Sequence, residues 1–590
     1  MERQYEPVPD SAPSLDQQGS SDTCPPGVRG AGGASGASGA AAPPGPPAIA
    51  PRALAAGGLQ TRPMAMGARG AVSAPHQLAS AAALEVLEAG GNAVDAAVAA
   101  AAASTVVQPF SSSLGGGGWA AVHIGATGRT EMLDFQGVVP AGLDPRAFRA
   151  APSGLVDWPR LEREGSALLS CLVPAAVAGW EALLARHGSW SLSHALESAI
   201  SLAAQGFPVS ELLHANLAEN EARLRSWPES AAIFLHCDRP YLPAQRLVQS
   251  DLAATLARVA AAGWSEIAEG ETGAAIVGFH ERYGGAVRAE DLTGYRPRWH
   301  DPLTGSFRGR VVHAAPAPLG DVSFLCGLQL LDAYPAFDGP LDPAYIHVSV
   351  ESAKLIADER SRYLGPGTDA RAAARLAGRD HVAELVQRIG ERARPARSVP
   401  GGPGHTITLA VIDGEGNAVH LMQTVGTLFG CAAVAGNTGI LLNSSLNFAY
   451  ASGTGANRIV PGRGIEQNPC LAVVLDAEGR LEMLVGSPGG KTRVETVRQM
   501  LVNVLDFGMN LQQAVDAARF LAGASGCTVS FESRYGPPDP HVVAALEARG
   551  HTIALAGESF GSGQAAAVDA TSGTRLAAAD WRREAIALAC

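Results

Sequence analysis

The chain has 590 residues, 47% of them hydrophobic and 17% charged, and carries a net charge of −12. That is ample apolar material for one large core or two units. Acidic and basic residues are interspersed, with no basic stripe of the kind that tracks a phosphate backbone, so nucleic acid is not an expected partner.

In chain order, residues 1–63 come first, small and aperiodic ("CPPGVRGAGGASGASGAAAPPGPPAIAPRALAAGG"). Such a segment buries too little to offset its ordering entropy and is expected to be a disordered tail. It has no basic region leading into an apolar one, so the expected location is cytoplasmic. The most apolar run, "AVAAAAASTVV", falls short of the about 20 residues that span a bilayer, and no membrane partner is expected. The eight cysteines (Cys24, Cys171, Cys237, Cys326, Cys431, Cys470, Cys527 and Cys590) lack metal-like spacing and fit reduced thiols better than a disulfide framework.

Order is expected from Met64. "QLASAAALEVLE" (77–88) reads as a helix ending at Gly90-Gly91, and Asn92 as the N-cap of a second, buried helix "AVDAAVAAAAAS". "SSSLGGGGWAAVHI" is a Ser/Gly loop running into a strand. From Trp180 to Gly390 the pattern is mostly helical, with "IHVSVESAKLIADERSRY" (346–363) at clear helical spacing. "ERARPARSVPGGPGH" (391–405) is the main internal linker. After it the period becomes alternating. "TITLAVID" and "NAVHLMQTV" flank "DGEGN" as a β-hairpin, "LAVVLDAEGRLEMLVG" reads as another, and "KTRVETVRQMLVNVLDFG" as a helix closed by Gly508. Its Val494, Val497, Leu501 and Val504 lie on one face.

The first hairpin, symmetric about Glu415, sets Thr406 opposite Thr424. Directly opposed residues have Cβ atoms about 4.5–5.5 Å apart, so the two hydroxyls can hydrogen-bond. Two readings are open at this point: an ordinary Thr–Thr pair, or a nucleophile at a strand start behind a Pro/Gly-rich linker. In "VGSPGGKTR" the N–H groups of Gly489 and Gly490 precede a helix and have no helical acceptor. They suit an oxyanion hole, or simply a Gly-rich turn. "SSSLGGGGW" lacks the Lys-Ser/Thr pair of a phosphate loop and is read as a site of close backbone packing. His76, His405 and His420 have no zinc spacing and are taken as core or surface residues, so no metal is expected.

Six stretches together resemble the γ-glutamyltranspeptidase family: "GGNAVDAAVAA", "QPFSSSLGGGGW", "ESAKLIADERSRYLG", "TITLAVIDGEGNAVHLMQT", "AGNTGILLNSS" and "VGSPGGKTRVETVRQMLVNVLDFGMN". They fall in the family's order, and the resemblance covers roughly residues 66–525. The resemblance implies an N-terminal-nucleophile hydrolase of the α/β class with an αββα sandwich formed jointly by two subunits. It also implies self-cleavage between His405 and Thr406. Residues 64–405 would form the large subunit and 406–590 the small one, paired as a heterodimer. Thr406 then implies the nucleophile, Thr424 its hydrogen-bonding partner, and Gly489 and Gly490 the oxyanion donors. Gln136, Ser445 and Ser487 fall at positions expected to contact a small amide or peptide substrate. No organic cofactor is implied.

The glutamyl-reading positions depart from the family pattern. "LDFQGVVP" has Gln136 where the family has an Arg, and Gly426 replaces an Asn. "LLNSSLNF" puts Phe448 at an acidic position, and "GIEQNPC" puts Ile465-Glu466 at a Ser-Ser pair. Three readings follow: an amide hydrolase or acylase with altered specificity, a γ-glutamyl hydrolase or transferase of glutathione-type donors that reads its donor with other residues such as Arg458 or Arg463, and a non-catalytic binding protein. The presence of Thr406, Thr424 and both glycines disfavours the last.

Overall fold

A strand buried at successive residues has to be covered on both faces. The hairpin His405–Asp413 and Ala418–Gly426 has this character, being mostly apolar and buried along almost its whole length. In a computed structural model of the chain, residues 60–316, 319–365, 369–396, 405–451 and 457–590 are described. The hairpin lies at the centre of a seven-stranded antiparallel sheet. From edge to edge its strands are Ile586–Ala589, Gly70–Ala74, His405–Asp413, Ala418–Gly426, Gly117–Ile124, Arg129–Phe135 and Arg298–His300.

A second seven-stranded sheet runs Ala65–Gly67, Arg575–Ala579, Gln564–Val568, Leu481–Gly486, Ala472–Leu475, Arg310–Ala314 and Leu303–Phe307. The period of two sorts the hairpin's side chains between layers. Ala410, Ile412, Ala418 and Met422 meet Val473, Leu484 and Ala566 of the second sheet. Leu409, Val411, Val419 and Leu421 pack against helices instead. Those helices are Gln77–Glu88, Ala93–Val107 and Ala176–His187. Asp321–Asp332, Arg493–Leu505 and Leu511–Asp516 cover the outer face of the second sheet. The architecture is the αββα sandwich that the family resemblance implies. Both sheets interleave strands from before and after residue 405.

Local signals explain most boundaries. Asn92 accepts from the amides of Val94 and Asp95, and Asp95 returns a bond to the Asn92 amide, a capping box at the start of Ala93–Val107. The four glycines of "LGGGGW" serve close approach. A Cβ on Gly115, Gly116 or Gly118 would lie 2.2, 2.2 or 2.0 Å from the carbonyl oxygens of Leu441, Thr424 and Met422. The mostly helical reading of residues 180–390 needs one correction. Leu303–Phe307 and Arg310–Ala314 form a hairpin at the edge of the second sheet, and Arg298–His300 closes the edge of the first. These edge strands are short and half-exposed, so they carry little of the apolar alternation that marks a buried strand. The expected tail lies outside the described residues up to residue 59, as does the Pro/Gly-rich stretch 397–404.

Candidate active site

Thr406, the second residue of its strand, lies directly opposite Thr424, the register that the symmetric hairpin requires. The ladder shifts between His405 and Thr406, as at a β-bulge, a feature that re-aims a side chain. Three hydrogen bonds follow. The Thr406 hydroxyl donates to Thr424 Oγ1 at 3.2 Å, the Thr424 hydroxyl donates to the His405 carbonyl at 2.6 Å, and the Gly426 amide donates to Thr424 Oγ1 at 3.0 Å. Both threonines are 4% exposed, so water competes little for these bonds. The His405 imidazole is pushed down to about 3 by burial, with the Arg583 charge adding to the effect, and is neutral.

Arg493 is the residue that sequence reasoning missed. It begins the helix Arg493–Leu505, and its Nη2 donates to Thr406 Oγ1 at 3.1 Å. Its Nη1 donates to the Asn468 carbonyl. Burial lowers the guanidinium from its ordinary value, while the neighbouring Cys470 and Asp321 pull it back up. Asp321 is itself pushed up to about 6 by burial, against bonds from the Cys470 and Ala315 amides. A guanidinium aimed at a hydroxyl oxygen favours the anionic form of that oxygen.

Gly489 and Gly490 lead into the turn Gly490–Thr492 ahead of the same helix. Amides at such a start lack intrahelical acceptors. Gly489 has φ +134°, a conformation that a side chain would strain, and a Cβ there would lie 2.6 Å from Thr492 Oγ1. Ser487 holds this turn: its hydroxyl donates to the Pro488 carbonyl at 2.8 Å and accepts from the Ser562 amide at 3.0 Å.

Two more segments converge on the strand end Thr424–Gly426. Gly117 pairs with Thr424, and a Cβ on Gly117 would lie 2.6 Å from the Gln136 carbonyl. Gln136 Oε1 accepts from Trp119 Nε1 at 3.1 Å. The turn Ser445–Phe448 abuts Gly426, and the Ser445 amide donates to Asn443 Oδ1 at 3.1 Å. Gln136 Nε2, both amide atoms of Asn447, Asn468 Oδ1 and Arg493 Nε are buried without a partner among the described residues. Glu466 is paired with Arg360 at 2.7 Å. Arg458 and Arg463 have exposed side chains.

Residues 79–590 match the family model described as Gamma-glutamyltranspeptidase. The chain is 32% identical over 537 residues to the Acylase ACY 1 proenzyme of Pseudomonas sp. (strain V22), covering 88% of this chain and 93% of that one. It is 29% identical over 521 residues to the Glutathione hydrolase proenzyme of Escherichia coli (strain K12), covering 84% and 87%. Among solved structures it resembles the cephalosporin acylase from Bacillus halodurans, with a TM-score of 0.81, 26% identity, and coverage of 91% of this chain and 99% of that one.

Proposed function

The chain belongs to the gamma-glutamyltranspeptidase family of N-terminal-nucleophile hydrolases, and on that premise we propose that it is a self-processing amide hydrolase of the acylase type, with Thr406 as its nucleophile. The observation that carries this reading is the path of hydrogen bonds from the Thr406 hydroxyl through Thr424 to the carbonyl of His405. The bond to be cut is thus polarised by the same threonine that holds the attacking hydroxyl.

In processing, the Thr406 oxygen adds to the His405 carbonyl carbon and its proton passes to the departing amide nitrogen. The C–N bond breaks and an ester forms. Water hydrolyses the ester, leaving the His405 carboxylate and a free Thr406 α-amine. The products are residues 1–405 and 406–590, held together by the shared sheets. In the mature enzyme the α-amine takes the hydroxyl proton as Oγ1 attacks the substrate amide. Gly489 and Gly490 donate to the tetrahedral oxyanion, a term worth about 2.7–4 kcal/mol per donor in a comparable hydrolase. Arg493 favours the oxyanion character of Oγ1 during attack. Collapse releases the amine and leaves an acyl-enzyme, which water or a second amine resolves.

The pocket favours an acyl group without a zwitterionic glutamyl head. Gln136 is neutral and Phe448 is apolar, so neither charge of such a head gains a charge-assisted partner from these positions. The Glu466 carboxylate is already held by Arg360. The unpartnered amides of Gln136, Asn447 and Asn468 suit a neutral polar acyl chain. Names carried by relatives include both acylase and glutathione hydrolase proenzymes. Steady-state kinetics on a γ-glutamyl anilide and its des-amino analogue test the choice: kcat/KM is expected to be higher for the des-amino compound. A strong preference for the intact glutamyl donor would return the chain to the glutathione-type reading.

A further inference from the structure

We propose that Cys171 and Cys431 are a closable dithiol whose disulfide joins the two sides of the processing site covalently. Their sulfurs lie 3.4 Å apart, both residues are buried, and both are free thiols. Cys431 Sγ also lies 3.0 Å from the Asn443 carbonyl and 3.3 Å from that of Ala167.

The flanking backbones are pinned. Asn443 accepts from the Leu172 amide at 3.0 Å and donates to the Leu172 carbonyl at 2.9 Å. The Cys431 amide donates to the Leu442 carbonyl at 2.9 Å. One asparagine side chain therefore staples the residue after Cys171 to the segment that holds Cys431. A disulfide is about 2.05 Å long, so the sulfurs, 3.4 Å apart, have little more than 1 Å to close.

The position gives the bond its consequence. Cys171 precedes Thr406 and Cys431 follows it, so in the processed enzyme the bridge would link two chains; this consequence rests on the proposed cleavage. The Val173 amide donates to the Val138 carbonyl at 2.9 Å, tying the Cys171 segment to the Gln136 loop. Asn443 leads directly into Ser444 and Ser445. Closure therefore also fixes the wall behind the acyl pocket.

The oxidant fitting a buried pair is a water-sized hydroperoxide. One thiol sulfur attacks the O–O bond, giving a sulfenic acid and water. The second sulfur displaces the hydroxyl as another water, so two thiols and one peroxide yield one disulfide and two waters. Burial raises the Cys171 thiol well above its ordinary range, with Cys431 adding to the effect. Closure in the folded enzyme is accordingly slow.

The test treats the reduced, full-length protein with hydrogen peroxide for hours and then alkylates the remaining thiols in denaturant. Gels with and without reductant and peptide mass mapping read the result. The expected outcome is a Cys171–Cys431 linked peptide lacking two hydrogens, and processed fragments that migrate as one species until reduced. Cys171→Ser and Cys431→Ser should each abolish the link, and Cys237→Ser, at an exposed thiol, should not. If the chain is not cut, the linked peptide still forms and only the gel difference is lost, so failure of processing and failure of the bridge are distinguishable. Recovery of Cys171 and Cys431 both alkylated after peroxide would overturn the proposal, as would a link that survives Cys171→Ser.

Discussion

The Thr424 hydroxyl donates to the carbonyl oxygen of His405 at 2.6 Å while accepting from Thr406 at 3.2 Å. One side chain thus touches both the proposed nucleophile and the proposed electrophile of the uncut chain. Thr424→Val removes both bonds at nearly constant volume. Loss of an oxyanion-type donor costs about 10²–10³ in rate. Processing of Thr424→Val should slow by about that factor in a denaturing-gel time course, while Thr424→Ser should process within about tenfold of wild type. Equal processing of the valine variant would remove Thr424 from the mechanism.

Arg493 supplies the second expectation. A hydrogen bond from a charged donor is worth about 1.5–3 kcal/mol, or about ten- to a hundredfold in kcat/KM. Arg493→Met should lose that much activity on a good anilide substrate. The loss should fall in kcat more than in KM, because the contact is to the nucleophile. A change confined to KM would place Arg493 in substrate binding instead.

The two stages of the reaction should differ in pH dependence. His405, held down to about 3 by burial and by Arg583, has no titration near neutrality. Gel-monitored processing should therefore show no inflection near the ordinary histidine value of about 6.5. The mature enzyme acquires an α-amine of pKa about 7.7–8.0 that must be neutral to accept a proton. Its kcat/KM should rise with pH through that region. Processing that follows a deprotonation near 6.5 would instead make His405 the base.

Buried histidines set the acid stability. His280 and His420 are fully buried, and burial pushes them down to about 4 and about 3. Both folded values lie below the unfolded value of about 6.5, so the unfolded chain takes up protons first. Their contribution is complete above about pH 6.5. It is lost as pH falls below that, at up to about 1.4 kcal/mol per pH unit for each ring. Asp321 works the other way. Its folded value, raised to about 6, favours the folded state in acid and offsets part of the loss. The urea midpoint should fall from about pH 7 to about pH 5. A midpoint that rises would show buried carboxylates outweighing the histidines.

Much of this site is legible in the chain. The five residues "DGEGN" set the hairpin's symmetry, and that symmetry alone places Thr406 opposite Thr424. The glycines of "LGGGGW" announce close backbone contact, and "SPGG" a turn with free amides. Arg493 is not legible in this way. It stands 87 residues from Thr406 in the chain, and only the stacking of one sheet on the other brings its guanidinium to the hydroxyl. Nothing in its helical pattern sets it apart from Arg498, which is equally buried but donates to the Ser349 carbonyl. The pairing of Glu466 with Arg360 is hidden for the same reason. Sequence position 466 advertises a new charge near the pocket, and only the packed structure reveals that the charge is already matched.

Proposed processing makes Thr406 both a chain terminus and the nucleophile. Intact-mass analysis under denaturing and reducing conditions, on purified wild type and Thr406→Ala in parallel with amide hydrolysis, tests it most directly. The expected result is masses for residues 1–405 and 406–590 in an active wild type, and a single uncut, inactive chain for Thr406→Ala. An uncut wild type with full activity would contradict it.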